Sequence, residues 1–149
     1  MDDLPELPPG AFAKADTSSD LEFYAQPRLV THIDDRAVAG LTDLYREMLP
    51  PGGTVLDLMG SWVSHLPPEA EYRSVTGHGM NAAELEANPR LTARLVRDLN
   101  ADPALPIAAG TFDGACLCVS VQYLQRPIEV FREVRRVLRP GAPFVVSFS

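Results

Sequence analysis

Segments of helical periodicity alternate with short apolar runs along most of the chain. Apolar positions recur at three- and four-residue spacing within residues 36–49 and 127–138, which predicts two amphipathic helices. A shorter helix, residues 82–88, is predicted to begin after Asn81 as its N-cap and to end before Pro89.

The continuous apolar runs predict five strands. Their predicted bounds are residues 54–58, 72–77, 94–97, 112–120 and 143–149. Runs without polar alternation are typical of strands in the buried middle of a parallel sheet. The connection between the first two strands contains Pro67 and Pro68 and is barely long enough for a crossover, so its helix should have one or two turns at most. Strands that alternate with helices predict an α/β fold, an open and mostly parallel sheet with helices on both faces.

The composition indicates one globular domain. The chain has 149 residues, of which 46% are apolar and 22% charged. Residues 1–20 mix Pro, Asp, Ser and Ala without periodicity, which predicts a flexible tail. Residues 21–149 are then a single domain, whose first part, residues 21–33, is an aromatic-bearing cover segment interrupted by Pro27.

Charge and cysteine content exclude several classes of function. Twenty acidic against thirteen basic residues give a net charge of −7, which repels nucleic-acid phosphates and anionic membranes. No run approaches the ~20 apolar residues that span a bilayer, and no signal peptide is recognisable at the N-terminus. Cys116 and Cys118 are predicted to be reduced, buried thiols, and His32, His65 and His78 add no recognisable metal-ligand spacing. We therefore expect a cytoplasmic protein that binds no metal, nucleic acid or membrane.

Three separated stretches carry a family resemblance. They are VLDL at residues 55–58, VRDLNADPALPIAAGTFD at residues 96–113 and RPIEVFREVRRVLRPGAPFVVSFS at residues 126–149. In this order they resemble the class I S-adenosylmethionine-dependent methyltransferases, specifically the small-molecule branch with a short core. The resemblance implies a Rossmann-like sheet, truncated here after the fifth strand, with S-adenosylmethionine as cofactor and a small molecule as substrate.

The resemblance also implies which residues contact the cofactor. Asp57 would face its methionine end, whereas Asp98 and Leu99 would receive the adenine through a carboxylate acceptor and a backbone donor. The further implied cofactor-binding positions are Gly60, Ser61, Gly79 and Ser120. Gln122 and Tyr123 fall where the family holds residues near the transferred methyl group and are the catalytic candidates.

The chain departs from the family pattern in the loop after the first strand. Met59, Ser61 and Val63 occupy the family's three glycine positions, where the absence of a side chain lets the backbone approach the cofactor. Gly79 occupies the position at which the family holds an acidic residue that binds the ribose. Two hypotheses follow: a methyltransferase with an unidentified small-molecule acceptor, or a non-catalytic binding or structural module whose cofactor site is closed by Met59, Trp62 and Val63.

The last apolar run raises a separate expectation. The family adds two strands after the fifth, whereas this chain stops inside it. An open edge strand is prone to pairing with another chain. Either the chain is part of a longer protein, or it forms a homo-oligomer through this strand.

Overall fold

The computed structural model of the protein describes residues 33–148. The predicted tail and nearly all of the cover segment lie outside these residues. Three α-helices are described, namely α1 (Asp35–Met48), α2 (Ala82–Ala87) and α3 (Pro127–Val137). The strands are β1 (Thr54–Leu58), β2 (Ser74–Gly79), β3 (Ala93–Val96), β4 (Gly114–Cys118) and β5 (Phe144–Ser147), and a 3-10 turn spans Val121–Tyr123.

The five strands form one sheet in the order β3-β2-β1-β4-β5, and all four pairings are parallel. This confirms the predicted open parallel sheet. The chain first adds β2 and β3 on one side of β1 and then crosses to add β4 on the other side. The carboxyl ends of β1 and β4 therefore form the topological switch point, the place where open α/β sheets bind ligands.

Helices cover both faces of the sheet, also as predicted. Val55 and Cys116 pack with Tyr45 of α1 on one face, whereas Leu56 packs with Val134 of α3 on the other. Asp57 follows Leu56 and therefore points back to the α1 face, because successive side chains of a strand alternate.

Polar side chains cap the first two helices, and Asn81 does so as predicted. The side chain of Asp34 accepts a hydrogen bond from the Ala37 N–H at 2.8 Å, and Asn81 caps α2 in the same way through the Glu84 N–H. Pro127 occupies the first turn of α3, where its missing N–H has no helical partner to lose.

The connection between β1 and β2 lacks the short helix that was predicted, and β2 itself is shifted. Residues 59–73 contain no helix, and β2 begins two residues later than predicted, at Ser74, and ends at Gly79. Tyr72 lies outside the strand, and its ring lies beneath the Arg90 guanidinium, whose carbon is 5.3 Å from the ring centroid. The shift places His78 and Gly79 inside the sheet. β4 and β5 are shorter than predicted.

Within the described residues, β5 pairs with β4 alone, so its other edge is open. Phe148, directly after β5, is 73% exposed, and an apolar groove lined by Phe131 and Phe144 lies between α3 and β5. Association through this edge stays a prediction. None of the described helices is long and apolar enough to cross a membrane.

Candidate functional site

Backbone strain marks the switch point. Met59, directly after β1, has a φ of 53°, and Val119, directly after β4, has a φ of 50°. They are the only non-glycine residues among those described with positive φ. The left-handed conformation costs a residue with a Cβ roughly 1–2 kcal/mol, and such residues cluster at binding sites.

Ser120 links the two strained strand ends. Its hydroxyl donates to the Cys118 carbonyl at 2.9 Å and lies 3.4 Å from the Met59 carbonyl. The end of β4 is further tied by Gln122, whose side-chain amide donates to the Val119 carbonyl at 3.1 Å. Gln122 and Tyr123 are both exposed beside this end of the sheet, so the structure brings the catalytic candidates to the switch point.

His78 fastens the loop of residues 59–64, which we call the β1 loop, to the sheet. The Met59 N–H donates to His78 Nδ1 at 3.0 Å, and the Gly60 N–H donates to the His78 carbonyl at 2.7 Å. Because Nδ1 accepts, Nε2 carries the proton and donates to the Arg97 carbonyl at 2.8 Å. Burial lowers the pKa of His78 to about 4, so the ring is neutral near pH 7. One buried imidazole thus connects the ends of β1, β2 and β3.

Gly79 lies directly beneath the β1 loop. A Cβ at Gly79 would lie 2.8 Å from the Gly60 carbonyl oxygen, a distance too short for a real Cβ atom. Backbone of the loop therefore fills the position where the resemblance places a ribose-binding acid. Gly60 in turn packs on Asp57, since a Cβ at Gly60 would lie 3.2 Å from the Asp57 carboxylate.

Asp57 is held on the inner side of the loop. It is 6% exposed, and its carboxylate accepts a hydrogen bond from the Ser64 hydroxyl at 2.5 Å and one from the Cys116 thiol at 3.6 Å. Burial raises the pKa of Asp57, and the hydrogen bonds from Ser64 and Cys116 oppose that shift. In this arrangement Asp57 caps the loop. The predicted contact with the methionine end of a cofactor would require the loop to move.

Asn88 is a site residue that the sequence did not reveal. It is the C-cap of α2 and is fully buried, and its amide donates at 3.0 Å to both the Ser61 carbonyl and the Ser64 hydroxyl. Its side-chain oxygen accepts from the Arg90 N–H at 3.0 Å. An Asn before a Pro is the ordinary end of a helix, so no local signal distinguishes this role.

Asp98 and Leu99 lie after β3, at the same end of the sheet. Asp98 is partly exposed, and one of its carboxylate oxygens accepts from the Asn100 N–H at 2.9 Å, whereas Leu99 is buried in the core on the α3 face. The Asn100 side chain donates to the Tyr123 carbonyl at 3.0 Å and accepts from the Gln125 N–H at 2.8 Å. Asn100 therefore joins the predicted adenine side of the site to the segment that follows β4.

Two cysteines of β4 complete the set of side chains near the site. Cys116 is buried and Cys118 partly buried, both are free, and burial raises the pKa of both thiols. Both thiols are therefore held in the protonated form near pH 7. Groups of His, Cys, Asp and Glu suited to a metal ion are absent from residues 33–148.

Comparison with known proteins shows which family the sequence around this site matches. Residues 59–146, more than half of the chain, match the model of a family described as a methyltransferase domain. The match begins at the first residue of the β1 loop. No curated protein matches the chain.

Several solved structures are similar. An S-adenosylmethionine-dependent methyltransferase from Mesorhizobium loti is 22% identical, with a TM-score of 0.58, over 71% of this chain and 51% of that one. One from Aquifex aeolicus is 17% identical, with a TM-score of 0.56, over 76% and 72%. The cyclase SpnF is 23% identical, with a TM-score of 0.61, over 74% and 44%. At these identities the likeness shows the fold alone, and this chain spans about half of the Mesorhizobium protein.

Proposed function

This chain belongs to the methyltransferase domain family, and we propose that it binds S-adenosylmethionine at the switch point and transfers the methyl group to a small-molecule acceptor. The observation that carries the proposal is the pair of left-handed residues, Met59 and Val119, on adjacent strand ends. Strain of this kind persists only where surrounding contacts enforce it, and here His78 and Ser120 do so. Residues in such conformations cluster at ligand-binding sites, so this pair supports a ligand at this end of the sheet.

The residues at this end of the sheet fit most of the cofactor. Asp98 would accept the adenine amine through the oxygen that does not bind the Asn100 N–H, and Leu99 would supply a backbone donor. The backbone of Gly60 and Ser61 would border the methionine end. The ribose would bind without the usual acid, because the Gly60 carbonyl stands over Gly79.

The ligand itself supplies the reactive group, a methyl carried on a positively charged sulfur. The protein's part is then to align this methyl with the acceptor atom and to exclude water, since orientation alone can remove several kcal/mol of a barrier. In this proposal Gln122 and Tyr123 would contact the acceptor, which is supported by their exposure after β4, and the Gln122 amide donates to the Val119 carbonyl. An acceptor of low pKa would need no strong base.

Calorimetric titration with S-adenosylmethionine and S-adenosylhomocysteine tests the proposal. Asp98→Asn keeps an oxygen for the Asn100 N–H but turns an NH₂ group toward the adenine amine, so affinity should fall about tenfold. Asp102→Asn is the matched control, because Asp102 is an exposed acid of the same segment that binds Arg97. Absence of heat and of a thermal shift at millimolar ligand in the unaltered protein would refute the proposal.

A second candidate is a non-catalytic module on the same fold. It is favoured by the contact between Gly60 and Gly79 and by the enclosure of Asp57, which together close the loop onto the sheet. Met59, Trp62 and Val63 would then fill the cofactor space. This candidate predicts that neither ligand binds, even though the protein is fully folded by circular dichroism.

A further inference from the structure

A directed chain of hydrogen bonds runs through the β1 loop. Asn88 Nδ2 can only donate, so the Ser64 hydroxyl is its acceptor at 3.0 Å. The proton of Ser64 is then available to Asp57, whose carboxylate oxygen lies 2.5 Å away. Donation therefore proceeds from Asn88 to Ser64 to Asp57, and Asp57 is the terminal acceptor.

The same amide of Asn88 holds the loop at a second point, the Ser61 carbonyl, also at 3.0 Å. The loop is thus fastened at Ser61 and Ser64 from α2, while His78 fastens Met59 and Gly60 from β2. These attachments fix the backbone of the segment that would border the cofactor.

We propose that Asn88 and Ser64 are positioning residues, which set the affinity for S-adenosylmethionine by holding the Gly60–Ser61 backbone in place. This inference rests on the proposed function, because it concerns the same site. Neither side chain is required to touch the ligand. Their effect is transmitted through the loop.

Trp62 makes the loop directly observable. It is the only tryptophan of the chain and lies between the two points that Asn88 holds. Its fluorescence therefore reports the β1 loop, whereas circular dichroism reports the helices and the sheet. Loss of positioning should appear as a change in Trp62 fluorescence at a lower urea concentration than the loss of secondary structure.

The test uses the full chain with Ser64→Ala, Ser64→Thr and Asn88→Asp. Ser64→Ala removes the relay, and Asn88→Asp keeps the shape but loses the NH₂ donor. Both should weaken S-adenosylhomocysteine binding about tenfold or more. Ser64→Thr restores the hydroxyl and should bring affinity to within about threefold of the unaltered protein.

Thr42→Ala is the matched control. The Thr42 hydroxyl donates to the His65 carbonyl at 2.8 Å, so this change also removes a hydrogen bond that fastens the same connection, but outside the β1 loop. It should lower overall stability without changing affinity or separating the two unfolding signals. Should Thr42→Ala weaken binding as much as Ser64→Ala, the effect would be one of general stability and the inference would be wrong.

Failure of this inference is distinguishable from failure of the proposed function. If the unaltered protein binds neither ligand, the proposed function fails, and the role in affinity fails with it. If it binds but Ser64→Ala binds equally well, with coincident unfolding signals, only the positioning role is refuted. Asn88→Asp need not fold for this decision, because Ser64→Ala and its threonine rescue reach the same result.

Discussion

Acidification should lower the unfolding free energy of the protein through His78, whose neutral ring attaches the β1 loop to the sheet. An ordinary histidine has a pKa of 6.5, whereas burial lowers the pKa of His78 to about 4. Below pH 6.5 His78 binds a proton in the unfolded chain but stays neutral in the folded protein. The unfolding free energy therefore decreases progressively until the pH reaches about 4. The difference corresponds to roughly 3 kcal/mol of unfolding free energy, at about 1.4 kcal/mol per pH unit.

Other charged groups near the loop also affect the pH dependence of stability, so the contribution of His78 must be isolated. Asp57 acts in the opposite direction, because its raised pKa makes the folded state take up a proton before the unfolded state does. Arg97 opposes protonation of His78 and Asp98 favours it. A non-titrating replacement, His78→Gln, retains one acceptor for the Met59 N–H and one donor for the Arg97 carbonyl, and subtracting its pH dependence removes the shared contributions.

Urea unfolding followed by circular dichroism between about pH 7 and about pH 4.5 measures the difference. The unaltered protein should lose roughly 2–3 kcal/mol more than His78→Gln over this range. His65→Gln is the control: burial also lowers the pKa of His65, but its side chain is partly exposed and it should retain most of the acid sensitivity. Equal losses in the unaltered protein and His78→Gln would refute the reasoning.

Three further predictions concern single positions. Gly79→Ala should lower the unfolding free energy by about 1–3 kcal/mol because of the contact with Gly60, whereas Gly40→Ala, with open space around it in α1, should raise it by up to about 1 kcal/mol. Urea denaturation measures both, and equal effects would contradict the packing argument. Val119→Gly should change stability by less than about 1 kcal/mol, since relief of left-handed strain offsets the greater freedom of the unfolded chain, and a large loss by the same assay would locate the strain elsewhere. If β5 pairs with a second copy, light scattering should show a dimer that Phe148→Lys disrupts, and a monomer at high concentration would exclude that association.

The fold could be predicted because its signals are local. Continuous apolar runs mark the strands, and capping residues such as Asn81 mark helix starts, so each element is specified within a few neighbouring residues. The Rossmann-like character of the sheet was implied by the family resemblance, whereas the order of its strands was not predicted. The start of β2 was predicted two residues too early because Tyr72 has a high strand propensity, although it lies before the strand.

The loop contacts could not be predicted because they join residues that lie far apart in the sequence. His78 is a single histidine in a strand, and its ring bonds residues nineteen positions away on either side, Met59 and Arg97. Asn88 reaches Ser61 across twenty-seven positions. Residue type gave no hint of these partners, because buried polar side chains find them through the tertiary fold.

The structure also explains why Gly60 is a glycine although the family's glycine positions in the β1 loop hold other residues. In a glycine-rich turn the same residues allow both positive φ and close approach. Here the two tasks are separated: Met59 takes the positive φ, and Gly60 provides the close approach, between Asp57 on one side and Gly79 on the other. Restoring glycine at the family positions would therefore remove side chains without changing the contact that covers Gly79. An acid placed at Gly79 would still collide with the Gly60 carbonyl, so the cofactor must be recognised by a loop built as a unit, with its buried attachments, or not at all.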